Sequence, residues 1–542
     1  MNPRVAFGAP NHCDYFKFKN LMNAKIPFDG LKGLKAHTKE DLTSGFLVFL
    51  IALPLCLGIS MASGFPPFAG IITAMVGGLI VSPIMGSRLS IKGPAAGLIS
   101  IAVAAVADLG NGDMAVGYTY ALAVVVLTGV IQVAFALLKL GRYVDFFPTS
   151  AVHGMLAAIG IIIIAKQLPV LLGTSAVSKN PIGILLELPQ LIQRADVHDA
   201  EVGLVSLAIL FGYAWLPFKK FKATVPPQLV VLVLGVGLGA YFMLDPKFLV
   251  NLPDSFAGGF VFPNFGLLGS GTTWKYVVMF ALVGSLESLL TVKAVDGLDP
   301  YRRKSDPNRD LLAVGLGNSI SGLLGGLPMI AEVVRSSANV ANGAKTRWAN
   351  FYHGLALLLF VALLPGLLRM IPLSALAAML IFTGYRLANP KLFRSTFKIG
   401  WDQMTVFMVT IILTLAEDLL VGIFAGILVE LALQLVTLRG GLGTIFKAKI
   451  HSEHGPSGDH VTLEGAFSFA NIIKLGANLE PLKQSKHVVV DARHASMLDH
   501  STMELLHSIQ HEIERGDGHA ELLLPEGARA LGGHELATRI QR

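Results

Sequence analysis

Fourteen apolar stretches fill the chain between about Thr43 and Leu438, separated by short polar loops. No other feature narrows the fold as far. Hydrocarbon offers no hydrogen bonds to a backbone, so an apolar run of about 20 residues crosses it as a helix that bonds its own N–H and C=O groups. Composition agrees: 53% of the 542 residues are hydrophobic and only 15% are charged, too few charges to cover a soluble surface of this size. The expected spans are 43–62, 67–85, 94–108, 117–139, 147–168, 202–217, 226–244, 276–296, 310–325, 328–341, 350–369, 373–387, 402–416 and 419–438. An α-helical polytopic membrane protein is therefore expected, embedded in a lipid bilayer.

Loop charges set its orientation. With the N-terminus in the cytoplasm, the inner loops hold Lys139 and Arg142; Lys219, Lys220 and Lys222; Arg302, Arg303, Lys304 and Arg309; Lys345 and Arg347; and Arg386, Lys391, Arg394 and Lys398. Outer loops hold mainly acids, Asp113, Glu187, Asp196, Asp199, Glu201, Asp254, Glu417 and Asp418, with Lys179, Arg194, Lys247, Lys275 and Arg369 as scattered exceptions. This positive-inside bias predicts a multi-pass protein of the cell (inner) membrane with both termini cytoplasmic. It also explains the net charge of +7 without a nucleic-acid partner.

Two of the fourteen segments are short and broken. Between Leu324 and Arg347 the chain reads LGGLPMIAEVVRSSANVANGAKTR. Gly325, Gly326 and Pro328 open it, and roughly 13 residues later it turns polar, short of the about 20 that a span needs. The expected product is a half-helix starting near Pro328, its N-terminus at bilayer depth. Such an end presents unbonded N–H groups and about half a positive charge. Glu332 lies inside it, with Arg335 one to two turns in, so a small anion is the ligand this end suits. Segment three, IKGPAAGLISIAVAAV, likewise opens with Gly93 and Pro94 and breaks off at Ala107 and Asp108. Pro suits a first helical turn because the N–H it lacks would be unbonded there. Segments three and ten stand seven apart, as a 7+7 inverted repeat requires, with the half-helices pointing N-termini at one another. The competing reading is two Pro-kinked full spans that only pack.

Beyond Leu438 the sequence turns polar and Gly-rich, then alternates strand-like HVTLEGAF, KHVVVDARHASML and AELLLP with helix-like FANIIKLGANLEPL and HSTMELLHSIQHEIERG. A small α/β unit is expected there, with Ser501 and Glu504 as the capping box of its second helix. The expected division is a cytoplasmic N-terminal tail over 1–42, a transport domain over 43–438 and a soluble domain over 439–542. Residues 1–42 are polar and mixed, so no cleavable signal is expected. Cys13 and Cys56 cannot form a disulfide framework. No nucleotide loop, HExxH or GxSxG occurs, and the histidines lack zinc spacing, so neither an enzyme nor a zinc site is expected.

GGLPMIAEVVRSSANVANGAKTR resembles the tenth-helix signature of the SulP (sulfate permease) family of inorganic anion transporters. VGSLESLLTVKAVDG is similar to that family's eighth helix and IKGPAAGLIS to its third, while VVVDARHASMLDHSTMELL resembles the core of a STAS domain. The resemblance implies fourteen segments in core and gate domains, a homodimer, and elevator-like movement of sulfate, bicarbonate, chloride or related anions. It also implies that Arg335 borders the anion, between half-helices that contribute Pro94, Ala95, Ala96, Ala331, Glu332, Val333 and Ser336. The family commonly places a small or hydroxylated residue where this chain has Glu332. In bicarbonate transporters of the family an acid and a Thr at the positions of Glu287 and Thr291 bind sodium, but the sodium-binding hydroxyl of segment ten falls at Val333 here. The bacterial STAS-fold regulators are phosphorylated on a Ser directly after Asp, where this chain has His500. An assembly role with a cytoplasmic partner is expected of the tail instead.

No cofactor is expected beyond a coupling ion, H+ or Na+, with Glu287, Thr291 and Glu332 as its holders; sodium is the candidate metal. A carboxylate about 4 Å from an anion costs about 4 kcal/mol at an effective dielectric near 20. Neutralising Glu332 would therefore couple a cation to the substrate. An ion pair with Arg335, three residues on, is the competing role for Glu332. An uncoupled anion channel or exchanger is the alternative function.

Overall fold

The computed structural model describes residues 26–541 apart from 179, 216–224, 252–255, 302, 418, 439–442, 444–447, 456–457, 516–517 and 526. Cys13, Lys179, Lys219, Lys220, Lys222, Asp254, Arg302 and Asp418 lie outside the described residues.

Structure stands at all fourteen expected places. Segments one to seven are Thr38–Ala62; Pro67–Val76 with a π-helical turn Gly77–Val81; strand β1 (Lys92–Pro94) leading through a 3-10 turn into Ile99–Leu109; Met114–Leu137; Thr149–Leu171; Val197–Gly212; and Pro227–Tyr241. Segments eight to fourteen are Gly271–Leu298; Pro307–Leu324; strand β2 (Met329–Ala331) followed by Val333–Ala341; Trp348–Leu363; Leu373–Leu387; Trp401–Ala416; and Leu419–Leu438. Segments one, four, five, eight and fourteen are long and apolar enough to cross a membrane by length and composition alone.

The starts are written locally. Pro67, Pro227 and Pro307 stand at first helical positions, while Asp113, Ser270 and Asp306 accept N–H groups of the first turn. Segment one begins at Thr38, before its apolar run, because Asp41 in that first turn is bonded: it accepts the N–H groups of Lys345 (2.8 Å) and Thr346 (3.0 Å).

The chain forms two compact units. The first comprises Met1–Gly141 and Glu201–Met379. Within it segment eleven packs on segments one and two, and segment four packs on segments eight and nine. Exchanging each segment for its counterpart seven places away in the other half turns one set of contacts into the other, as an inverted repeat requires. A core of Phe49, Leu53, Leu57, Ile72, Met329 and Leu357 fills this unit.

The second unit comprises Arg142–Ala200 and Leu380–Arg542. Segments five, thirteen and fourteen interlock in it through small residues: a Cβ on Gly154 would stand 2.7 Å from Phe407 O, and one on Gly422 2.9 Å from Thr410 O. The tail sheet has the order β7-β5-β4-β6-β9-β8, with β3 paired to β4. Its strands are β3 Lys449–Gly455, β4 Gly458–Phe467, β5 His487–Asp491, β6 Ala495–Leu498, β7 His519–Leu523, β8 Arg529–Ala530 and β9 Arg539–Ile540. β4, β5, β6 and β7 pair in parallel, and helices Ile472–Leu479 and His500–Arg515 bury Leu475, Leu479, Met503, Leu506 and Ile513 against them.

Three tail details depart from expectation. KHVVVDARHASML makes two strands rather than one. The polar KIHSEH run is a strand, because it lies antiparallel along β4 and only Ile450 faces the core. The cap of helix His500–Arg515 is Asp499, whose Oδ1 accepts Thr502 N–H at 2.8 Å. Ser501 instead turns its Oγ to Thr149 N–H at 3.5 Å.

Candidate functional site

The two broken segments meet in the first unit. β1 and β2 pair antiparallel, with Lys92 opposite Ala331, Gly93 opposite Ile330 and Pro94 opposite Met329. Ala95 N–H bonds Pro328 O at 3.0 Å, and Glu332 N–H bonds Ile91 O at 2.9 Å. Extended backbone at membrane depth must be satisfied by protein, and here each strand satisfies the other. A two-stranded ladder has a free edge where the missing N–H of Pro costs nothing.

Segment ten consequently turns helical at Val333, with Glu332 as N-cap, and not near Pro328. Arg335 stands in the first turn. It is 0% exposed, and its Nε, Nη1 and Nη2 find no hydrogen-bond partner. Nη1 lies over Gly93, 2.3 Å from where a Cβ would be. Cys56 of segment one and His353 of segment eleven are buried within reach of the guanidinium charge. Both ring nitrogens of His353 are also without a partner. No hydrogen bond joins Arg335 to Glu332.

The carboxylates turn to segment three instead. Glu332 takes the Ala96 N–H and leaves Oε1 buried and unpartnered. Glu287 takes the Gly97 N–H and presses so close that a Cβ on Gly97 would lie 2.2 Å from either carboxylate oxygen. The two acids lie near enough to repel one another. Thr291, one turn on from Glu287, is buried. The N–H groups that open segment three, where an anion would be held, thus face two acid side chains.

The remaining expected residues divide. Ser336 Oγ accepts Ile91 N–H at 2.9 Å, and Ala331 N–H donates to Ser288 Oγ at 3.1 Å. Both therefore fasten the strands. Pro94, Ala95 and Ala96 are buried in the paired segments. Val333, 42% exposed, presents its side chain on the opposite side of the helix from Arg335.

Sequence reading missed a buried scaffold under the strands. Asn318 accepts Met329 N–H at 2.5 Å and donates to Met329 O (3.2 Å) and Gln132 Oε1 (2.7 Å). Lys92 pairs with Asp310 at 2.5 Å, both fully buried. Asn350 accepts Lys92 N–H (3.2 Å) and donates to Gly77 O (2.9 Å) and Ser82 Oγ (2.8 Å), joining β1 to the π turn. The available signal was polarity itself: an Asn, Gln, Lys or Asp within an apolar segment needs a partner.

Sequence comparison agrees with this architecture. The profile of the sulfate permease family matches residues 38–434. The bicarbonate transporter BicA of Picosynechococcus sp. is 28% identical over 411 residues, covering 75% of this chain and 70% of its own. The sodium-independent sulfate anion transporter of Bos taurus is 26% identical over 506 residues, covering 84% of this chain and 78% of its own. The solved structure of SLC26A9 shares the fold, at TM-score 0.65 and 14% identity, over 96% of this chain and 92% of that one. These relatives are transporters, not enzymes. With a matching profile across most of its length and two inverted halves meeting at β1 and β2, the chain belongs to the sulfate permease family.

Proposed function

We propose that the protein is a secondary active transporter of small inorganic oxyanions, of the sulfate or bicarbonate class, driven by a coupled cation and working by elevator-type alternating access. The observation that carries this reading is Arg335, a fully buried guanidinium with no bonded partner. Such a charge is stable at membrane depth when an anion or a paired acid answers it. Glu332 and Glu287 lie nearby but are turned to the N–H groups of Ala96 and Gly97. Two carboxylates and one guanidinium leave one excess negative charge. An arriving anion would deepen it unless a cation neutralises one acid, which would also free an N–H for the substrate. The relatives' printed substrates, bicarbonate and sulfate, support the anion class.

A proton is the preferred coupling ion, because Val333 offers no oxygen to complete a sodium shell with Glu287 and Thr291. Uptake of labelled sulfate and bicarbonate into proteoliposomes, under inward proton, inward sodium or no gradient, tests it. Proton-driven uptake that loses its pH dependence in Glu332→Gln is the expected result. Sodium-driven uptake would replace the proton with sodium at Glu287. Fast flux indifferent to both gradients would overturn coupling in favour of a channel or exchanger.

A further inference from the structure

The second unit contains a buried polar chain that anion transport does not use. Ser150 of segment five donates to Gln403 Oε1 at 2.7 Å. Gln403 Nε2, on segment thirteen, donates to Asp402 Oδ2 at 3.1 Å and to Glu430 Oε2 of segment fourteen at 3.3 Å. Gln434 Nε2, one turn beyond Glu430, donates to Glu430 Oε1 at 2.8 Å and to Asp499 Oδ2 in the tail at 3.0 Å. Asp499 also accepts Phe469 N–H at 2.7 Å, and Thr538 Oγ1 donates to Asp402 Oδ2 at 2.8 Å.

Charge in this chain is unbalanced. Glu430 and Asp499 share the amide nitrogen of Gln434, so their oxygens lie within about 6 Å of one another, and Asp402 shares the amide nitrogen of Gln403 with Glu430. Among the described residues no ion pair supplies any of the three with a cation. Donors fall short as well. Gln434 Oε1 and Asp402 Oδ1 are buried acceptors with no donor, in side chains 4% and 5% exposed. A buried unpaired acceptor and a buried unpaired carboxylate are each costly. One hydrogen on a carboxyl oxygen removes the second of these costs by cancelling a charge. A metal ion fits less well, since no group of three or more His, Cys, Asp or Glu among the described residues is arranged to hold one.

We propose that Glu430 and Asp499, bridged by Gln434, are a proton-binding site that fastens the tail domain to segment fourteen. The other charged groups around it are His153 on segment five, which faces Glu504 and His500, and Asp402 on segment thirteen. His500 gives its Nδ1 to Leu536 O at 3.0 Å, and Arg539, opposite Leu498 on β9, turns to Glu535 O. Burial also pushes the Asp499 carboxyl up from its ordinary range. A group raised in the docked state holds the docked state below its pKa. Docking is therefore full at low pH and lost as pH rises through that value.

Hydrogen exchange of full-length protein, followed over the amides of His500–Arg515, tests this. In wild type, exchange corrected for the intrinsic rate should rise at least about tenfold between about pH 6 and pH 9. Glu430→Gln, fixed in the neutral form, should stay protected throughout. A pH-independent wild type overturns the proposal whatever the variant does, as does a Glu430→Gln profile that follows wild type. Infrared difference spectra on base titration give a second readout. A protonated-carboxyl C=O band should vanish with rising pH in wild type and be missing from both Glu430→Gln and Asp499→Asn; identical spectra in all three overturn it.

Discussion

Glu287 and Gly97 touch across segments eight and three in a way that only a glycine permits. A Cβ on Gly97 would stand 2.2 Å from both carboxylate oxygens, so Gly97→Ala must push Glu287 off the N–H it now faces. Coupled uptake should fall at least about tenfold in Gly97→Ala, a loss of about 1.4 kcal/mol. Gly271→Ala should leave uptake unchanged, because nothing lies within 4 Å of the added carbon. Equal uptake in the two variants would mean that Glu287 does not act from its present place. Arg335, Glu332 and Glu287 were legible in the sequence because a charge in an apolar run stands out against everything around it. His353 and Cys56 were not, since in sequence each resembles an ordinary core residue. Only the fold brings them to the Arg335 guanidinium.

Segments three and ten show where local signals are sufficient and where they mislead. Gly325 ends segment nine in the left-handed region, at φ 97°, and the Gly and Pro pairs correctly mark two interrupted segments. What Pro328 does next depends on Ala95, far away in the chain, which follows β1 directly and donates its N–H to Pro328 O. Helical and extended starts both accept a Pro, and the pairing decides between them, so the helix begins at Val333 and Arg335 moves into its first turn. Asn318 holds this arrangement through both polar groups of Met329. Asn318→Ala should strip a buried N–H and C=O of their side-chain partner and cost about 1–3 kcal/mol. Denaturant unfolding in detergent measures it; a change under about 0.5 kcal/mol would show that Asn318 is not what fastens β2.

Across the chain, fourteen segments, their inverted relation and an α/β tail were all visible in hydropathy and punctuation, because hydrocarbon imposes the same requirement on every segment. The two compact units were not, since their boundary passes through segment twelve and joins residues far apart in sequence. The same holds for the chain of carboxylates and amides from Ser150 to Asp499, which no periodicity announces. The proposed transport mechanism rests on one charge balance: two acids and a single unpaired guanidinium where β1 and β2 meet. Equilibrium binding of labelled sulfate and bicarbonate to purified wild type and Arg335→Ala examines that balance directly. Loss of a buried charge interaction of about 2–5 kcal/mol should weaken the bound anion at least about thirtyfold in Arg335→Ala. An affinity within about threefold of wild type, in protein that remains folded, would contradict Arg335 as the source of anion attraction.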